Sequence, residues 1–186
     1  MNKAIFLDRD GTLIYDWGYL RDWRKIKFYR SVIPALKILE QSGFRLIIIT
    51  NQSGLARGLL TVNQLHQIHR RLIQLLRNKG VKISAIYYCP HHPEENCRCR
   101  KPKTLLYQKA RRRFQLDFSR SYVIGEKVSD IQAGKNIGAK TGLVLTGQGR
   151  KERKILLAQG IKPDLVAGNL LSVAKWIIGK NKALYF

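Results

Sequence analysis

Asp8 and Asp10 stand two residues apart in the stretch Phe6-Leu7-Asp8-Arg9-Asp10-Gly11-Thr12-Leu13, directly after the apolar run Ala4-Ile5-Phe6-Leu7. A buried strand that ends this way delivers its last side chains to the carboxyl edge of a sheet, where open α/β proteins bind ligands. A carboxylate in that crevice can attack phosphorus and form an aspartyl phosphate. Asp and Gly also mark capped turns, so the pair takes its meaning from the rest of the chain. Arg9 lies between the two carboxylates and, in strand-like alternation, points the other way, so it is not expected to touch substrate.

Three later clusters carry chemistry of the same kind. The segment Thr50-Asn51-Gln52-Ser53-Gly54 follows the nearly continuous apolar run Arg45-Leu46-Ile47-Ile48-Ile49. Thr50 therefore reaches the same crevice edge as Asp8, and its hydroxyl can bond a phosphate oxygen. Cys89, His91, Cys97 and Cys99 offer three sulfurs and one nitrogen, a set suited to tetrahedral zinc, with His92 the alternative to His91. An odd, clustered set of cysteines argues for metal before disulfide, and a Cys97–Cys99 bridge would be badly strained. Four protein ligands leave no open position, so this zinc would be structural, holding the loop that carries Arg100 and Lys101. Lys101 precedes Pro102, which makes it a loop residue at the start of a helix. Arg100 can grip a phosphate with its planar fork. The last cluster is Gly125-Glu126-Lys127 with Asp130.

In this order the motifs resemble the haloacid dehalogenase superfamily of phosphatases, whose first motif reads Asp-x-Asp-Gly-Thr. Within it the chain is similar to the heptose bisphosphate phosphatases and the related histidinol phosphatases, over about residues 3–170. The resemblance implies a magnesium-dependent, zinc-stabilised enzyme that hydrolyses a phosphomonoester of a sugar bisphosphate, the 7-phosphate of a heptose 1,7-bisphosphate, in nucleotide-activated heptose synthesis for lipopolysaccharide. It makes Asp8 the nucleophile and a side-chain magnesium ligand. Asp10 becomes a main-chain ligand and the general acid and base. Thr50 and Lys101 would hold the phosphate, Arg100 would recognise substrate, and His91 is preferred to His92 as zinc ligand. Asp16, Tyr19, Asn51, Gln52, Ser53 and Lys127 complete the expected substrate contacts. Histidinol phosphate is the closest enzymatic alternative, and Arg100 in basic surroundings favours a second phosphate over an amine.

One position departs from the resemblance. The family carries Asp after the glycine at 125, where it binds magnesium, and this chain has Glu126. Magnesium tolerates little distortion of its octahedral shell. Three outcomes are open: Glu126 coordinates after a loop shift, acts through water, or leaves the role to Asp130.

The elements that must position these residues alternate along the chain. Strand signals lie at 4–7, 45–50, 83–88, 122–124, 141–145 and 165–166. Helical spacing occupies 32–41, 62–78 with Thr61 as N-cap, 105–114, 129–136, 151–159 and 170–178. This alternation is the pattern of βαβ units, so the expected fold is α/β: a Rossmann-like parallel sheet with helices on both faces. The connections are too short for a large cap domain, and loops must cover the site. Asp16-Trp17-Gly18-Tyr19 and the cysteine loop are the expected walls.

A chain of 186 residues, 45% of them hydrophobic, is most simply one globular domain, here residues 1–179 with a basic tail at 180–186. No apolar run approaches the ~18 residues of a membrane span. Met1-Asn2-Lys3 leads straight into a core strand rather than a signal peptide, so a cytoplasmic protein, a monomer, is expected. The net charge of +23 suggests anionic substrates or polyanionic partners. Nucleic acid ranks well below a small phosphorylated substrate, because no groove-reading element or aromatic stacking cluster is evident.

Overall fold

A computed structural model describes residues 1–182 of the chain, with side chains through residue 179. Six strands, β1 (Ala4–Leu7), β2 (Arg45–Asn51), β3 (Ile83–Cys89), β4 (Tyr122–Gly125), β5 (Lys140–Val144) and β6 (Leu165–Ala167), form one parallel sheet in the order β3-β2-β1-β4-β5-β6. The order reverses between β1 and β4, which is the switch point where such sheets open a crevice. Leu7, the last residue of β1, pairs with Ile48 on one side and Ile124 on the other, so Asp8 emerges at that point.

Alternation along the central strands divides the core in two. Ile5, Leu7, Leu46, Ile48 and Ile124 face α1 (Val32–Gln41), α2 (Val62–Asn78) and α6 (Leu170–Lys182). Ala4, Phe6, Ile47, Ile49 and Val123 face α3 (Leu105–Phe114) and α4 (Val128–Asn136). A smaller cluster of Ile131, Leu143 and Leu156 seats α5 (Gly149–Ala158) beside them. The doubly wound fold expected from the sequence is the one observed, and Thr61 caps α2 in a full capping box with Gln64.

The differences are at element ends. β2 and β3 each run one residue further than expected, because Asn51 and Cys89 still pair. α4 begins at Val128, its first turn closed by the Asp130 side chain, whose Oδ2 accepts the Lys127 N–H (3.1 Å). α6 continues through Gly179 to Lys182, into the stretch read as a tail, since one helical glycine costs only about 1 kcal/mol. Residues 183–186 of that stretch lie outside the described residues.

Between β1 and α1 the chain makes a loop with a single 3-10 turn, Trp23–Lys25. It is pinned by Tyr15 N–H to Lys27 O (2.9 Å), Trp17 Nε1–H to Lys25 O (3.1 Å) and the stacked rings of Tyr15 and Tyr29. This loop, rather than a cap domain, walls one side of the crevice. Among the described residues no helix is long and apolar enough to cross a membrane.

Candidate active site

Asp8 is anchored where β1 ends by its own N–H, which donates to Ile124 O (3.0 Å). Lys101 reaches it from the loop before α3: its ammonium donates to Asp8 Oδ1 (2.7 Å), Asp130 Oδ1 (2.5 Å) and Ile49 O (2.9 Å). Asn51 fixes the Lys101 backbone, accepting its N–H at 3.1 Å and donating to its carbonyl at 3.3 Å. Burial pushes the Asp8 carboxyl up to about 6, with Lys101 pulling against that shift and Asp130 and Asp10 adding to it. Asp8 is therefore mostly ionised at neutral pH, as a nucleophile must be. Burial also works against the charge on Lys101, but Asp130 and Asp8 hold its ammonium well above the ordinary range.

Asp10 is held from behind by Arg9, which donates from Nε to both carboxylate oxygens (3.1 and 3.0 Å). Arg9 is 1% exposed; its other nitrogens meet Gln52 Oε1 (3.0 Å) and His69 Nε2 (3.1 Å). Gln52 in turn donates to Asp10 Oδ2 (2.9 Å) and Thr50 Oγ1 (2.8 Å). Arg9 does not line the cavity, yet it does not point away as strand alternation suggests: its side chain turns onto Asp10 and Gln52 and fixes Asp10 from behind, a role not foreseen. The signals were present: an arginine that ends an apolar strand, and His69 on the apolar stripe of α2 with Leu65, Ile68, Leu72 and Leu76, each need a buried partner.

Above these groups lies a cavity of about 340 Å³. Asp10, Asp16, Tyr19, Asn51, Gln52, Ser53, Arg100, Lys101 and Lys127, all expected at the site, line it together with Gly18, Ser129 and Gln148, which were not. Thr50, 1% exposed, sits beneath this lining on Gln52, and Asp8, Glu126 and Asp130 are likewise buried below. Arg100 contributes a buried Nη1 without a hydrogen-bond partner, a donor set for an anion.

Glu126 is fully buried in a slot between Gly11 and Gly147, where a side chain on either glycine would collide with its carboxylate. Oε2 accepts the Gln148 N–H (2.5 Å), whereas Oε1 is buried with no hydrogen-bond partner. Burial raises this carboxyl to about 8, the Gln148 N–H opposing and the Asp8 charge adding. Both oxygens of Asp130 are engaged, one by Lys101 and the other by the Lys127 N–H (3.1 Å). Of the two residues weighed for the metal, Glu126 is the one with an oxygen to give. A buried carboxylate set with an orphaned oxygen suits a hard divalent cation.

The four zinc-type ligands converge. Their ligand atoms lie within 4.8 Å of one another, with separations of 3.2–3.6 Å for the Cys89–Cys99, His91–Cys99, Cys89–Cys97, Cys89–His91 and Cys97–Cys99 pairs. Zinc bonds of ~2.0–2.3 Å in a tetrahedron give edges of about the same length. His92 faces elsewhere, capping the 3-10 turn Pro93–Glu95 through Glu94, so His91 is the histidine of the cluster. Cys97 is the thiol most ready to ionise: burial opposes the charge, yet N–H groups of Cys99 and Arg100 bring it to about 7.

Residues 98–173 match the HAD-hydrolase-like family. A D-glycero-beta-D-manno-heptose-1,7-bisphosphate 7-phosphatase of Haemophilus influenzae is 42% identical over 161 residues, covering 80% of this chain and 88% of its own. The chain belongs to this phosphatase family. A second family member, from Yersinia pestis, is 41% identical over 96% of this chain and 97% of its own. The crystal structure of D,D-heptose 1,7-bisphosphate phosphatase from B. bronchiseptica, complexed with magnesium and phosphate, superimposes with a TM-score of 0.86 at 34% identity, over 96% of this chain and 99% of that one. Another heptose bisphosphate phosphatase, from Burkholderia thailandensis, gives a TM-score of 0.72 at 26% identity over 95% and 99% of the two chains.

Proposed function

We propose that this enzyme removes the 7-phosphate of D-glycero-D-manno-heptose 1,7-bisphosphate through an aspartyl phosphate on Asp8, in the synthesis of activated heptose. One observation carries the reading: Lys101 bonds Asp8 at the floor of a cavity whose lining brings Asp10 together with Arg100 and Lys127, cations for a substrate with two phosphates. Asp8 attacks phosphorus, the bond from phosphorus to the sugar oxygen breaks, and Asp10 supplies the proton that the departing oxygen takes. Water then attacks the phosphoaspartate, Asp10 recovers a proton from it, and phosphate leaves with Asp8 restored. Arg9 and Gln52 keep Asp10 aimed through both halves. Lys101 lowers the repulsion between Asp8 and the incoming dianion.

The side chains of Asp8 and Glu126, with the main chain of Asp10, would hold magnesium, which supplies charge neutralisation on the transferring phosphoryl group. Asp130 supports the site through Lys101 rather than as a ligand. Cys89, His91, Cys97 and Cys99 would hold one structural zinc that fixes the loop ahead of Arg100. We further take the chain as a single cytoplasmic domain that acts as a monomer.

Histidinol phosphate carries one phosphate and would leave the Arg100 donor unmatched. The test is a parallel assay of the beta and alpha anomers of the heptose bisphosphate, the heptose 7-phosphate and histidinol phosphate, with magnesium present. The bisphosphate is expected to have the highest kcat/KM, and Arg100→Ala should erase its lead over the monophosphate. Equal or faster turnover of histidinol phosphate would overturn the assignment.

A further inference from the structure

Every strand of the sheet starts beside a cation. In sheet order these are Lys82, Arg45, Lys3, Arg120, Lys140 and Lys162, each at the first residue of its strand or within three residues before it. The register holds them in one row: Arg45 N–H donates to Lys3 O (3.0 Å), and Lys140 N–H to the carbonyl of Ser121, next to Arg120 (3.1 Å). Adjacent strands are about 4.8 Å apart, so six of them set the row at roughly 24 Å. It crosses the end of the sheet opposite the active site.

Three of the six row cations rest on aromatic faces. Lys3 lies over Phe44 (4.2 Å), Arg45 over Phe114 (5.3 Å) and Lys140 over Tyr122 (5.7 Å). Arg111 and Arg113, at the end of α3, lie over Phe118 and Phe114. Three carboxylates lie near this end and offset part of its charge: Glu40 accepts the Lys82 N–H (3.2 Å), Asp117, which also feels the Arg120 charge, the Ser119 N–H (2.9 Å), and Asp164 the Thr141 N–H (2.8 Å). Among the described residues none of the six row cations has an ion pair. Such crowding of like charge raises the free energy of the isolated protein unless something anionic meets it. Helix dipoles account for Arg111 and Arg113, but their effect fades within the last turn and does not reach the strand starts.

We infer that this end of the sheet is a binding surface for the sugar–phosphate backbone of single-stranded nucleic acid, separate from the phosphatase site. The row is linear, as a chain of repeating anions is, and the guanidinium groups of Arg45 and Arg120 suit phosphate. A membrane is a poorer fit, because most of the large exposed apolar side chains lie elsewhere, Tyr15, Trp17, Tyr19 and Trp23 on the active-site loop among them, and only Met1 beside Lys3 and Ile73 beside Lys82 are near the row.

Fluorescence anisotropy of the whole protein with a labelled oligouridylate tests this. Six phosphate contacts on a single strand predict a slope of log affinity against log salt near about −4, and about a 300-fold loss between 50 and 200 mM salt. The variant Arg45→Gln/Arg120→Gln/Lys140→Gln should halve that slope to about −2 while turnover of the sugar phosphate stays within about twofold of wild type. Should the triple variant fail to fold, Arg45→Gln and Arg120→Gln singly should each reduce the slope by about 0.7. A control with equal charge loss on α5, Arg150→Gln/Lys151→Gln/Lys154→Gln, should leave the slope nearly unchanged. If the control weakens binding as much as the row variant, or if the protein sediments with phosphatidylserine vesicles but ignores the oligonucleotide, the inference fails.

Discussion

Nη1 of Arg9 lies 3.1 Å from Nε2 of His69, a contact across sixty residues of sequence that fixes the state of the histidine. An N–H can donate only to a nitrogen with a lone pair, so His69 is neutral and carries its proton on Nδ1. Burial first, and the Arg9 charge second, push the imidazole down to about 3. The pair locks the guanidinium whose Nε holds Asp10.

Arg9 acts on the reaction through Asp10, so its loss should appear in the chemical step. Arg9→Lys keeps the charge but cannot reproduce the planar fork. A drop in kcat of roughly 10- to 100-fold with KM within about threefold is expected, the scale of a misplaced catalytic group. A rise in KM with kcat intact would mean that Arg9 binds substrate instead.

His69 should leave a mark on acid stability. In the unfolded chain a histidine takes its proton near pH 6.5, whereas the folded protein resists until about 3. The unfolded state therefore binds the proton first, and stability is lost as pH falls through that window. His69→Gln offers Arg9 an acceptor that does not titrate. Its denaturant midpoint should change less than that of wild type between pH 6.5 and 4.5; parallel curves would refute the assignment.

Asp8 shares the Lys101 ammonium with Asp130, at 2.7 Å and 2.5 Å respectively. Asp8→Asn should keep the fold, since the amide still accepts from Lys101, and should cut turnover by roughly 10³-fold or more because no phosphoaspartate can form. Mass spectrometry of protein trapped with fluoroberyllate-type analogues should show no adduct-dependent protection. Activity within tenfold of wild type would remove Asp8 as nucleophile.

The sulfur and nitrogen cluster should carry about one zinc per chain, measurable by elemental analysis of purified protein. Cys97→Ser is expected to lower both zinc content and melting temperature, and to weaken turnover through Arg100 and Lys101, which follow the cluster directly. Metal-free protein with unchanged melting and activity would rule the site out.

The fold was readable because each element carried its own period. Six apolar strand runs alternated with six helical stripes, and errors were confined to ends set by single contacts, such as the Asn51 and Cys89 pairing. The cavity lining was readable because its residues follow strands that finish at one edge. What stayed hidden depends on contacts between distant segments. Nothing local says that Arg9 will meet His69, that Gln52 will bridge Thr50 and Asp10, or that Asp130 will spend both oxygens on Lys101 and a helix cap. The choice between Glu126 and Asp130 is of this second kind.

Glu126 brings the last prediction, because its two oxygens have different fates. Oε2 is tied to the Gln148 N–H, while Oε1 has no hydrogen bond and only the Lys127 ammonium at 3.8 Å, so a divalent cation would be met by one oxygen of a side chain longer than the family's aspartate. Glu126→Asp should maintain or raise turnover and tighten the magnesium dependence, whereas Glu126→Gln should weaken magnesium binding by roughly 10-fold or more. Asp130→Asn should reduce turnover through Lys101 while leaving magnesium affinity nearly unchanged. The raised carboxyl gives a check that needs no turnover. Metal-free folded protein keeps a proton on Glu126 up to about pH 8, while the unfolded chain releases it near 4.5. Stability of the metal-free protein should thus fall as pH rises from about 4.5 to 8. Magnesium, by replacing that proton, should raise the melting temperature more at pH 8 than at pH 6. Equal magnesium stabilisation at both pH values, together with Asp130→Asn as the variant that loses the metal, would transfer the ligand role to Asp130.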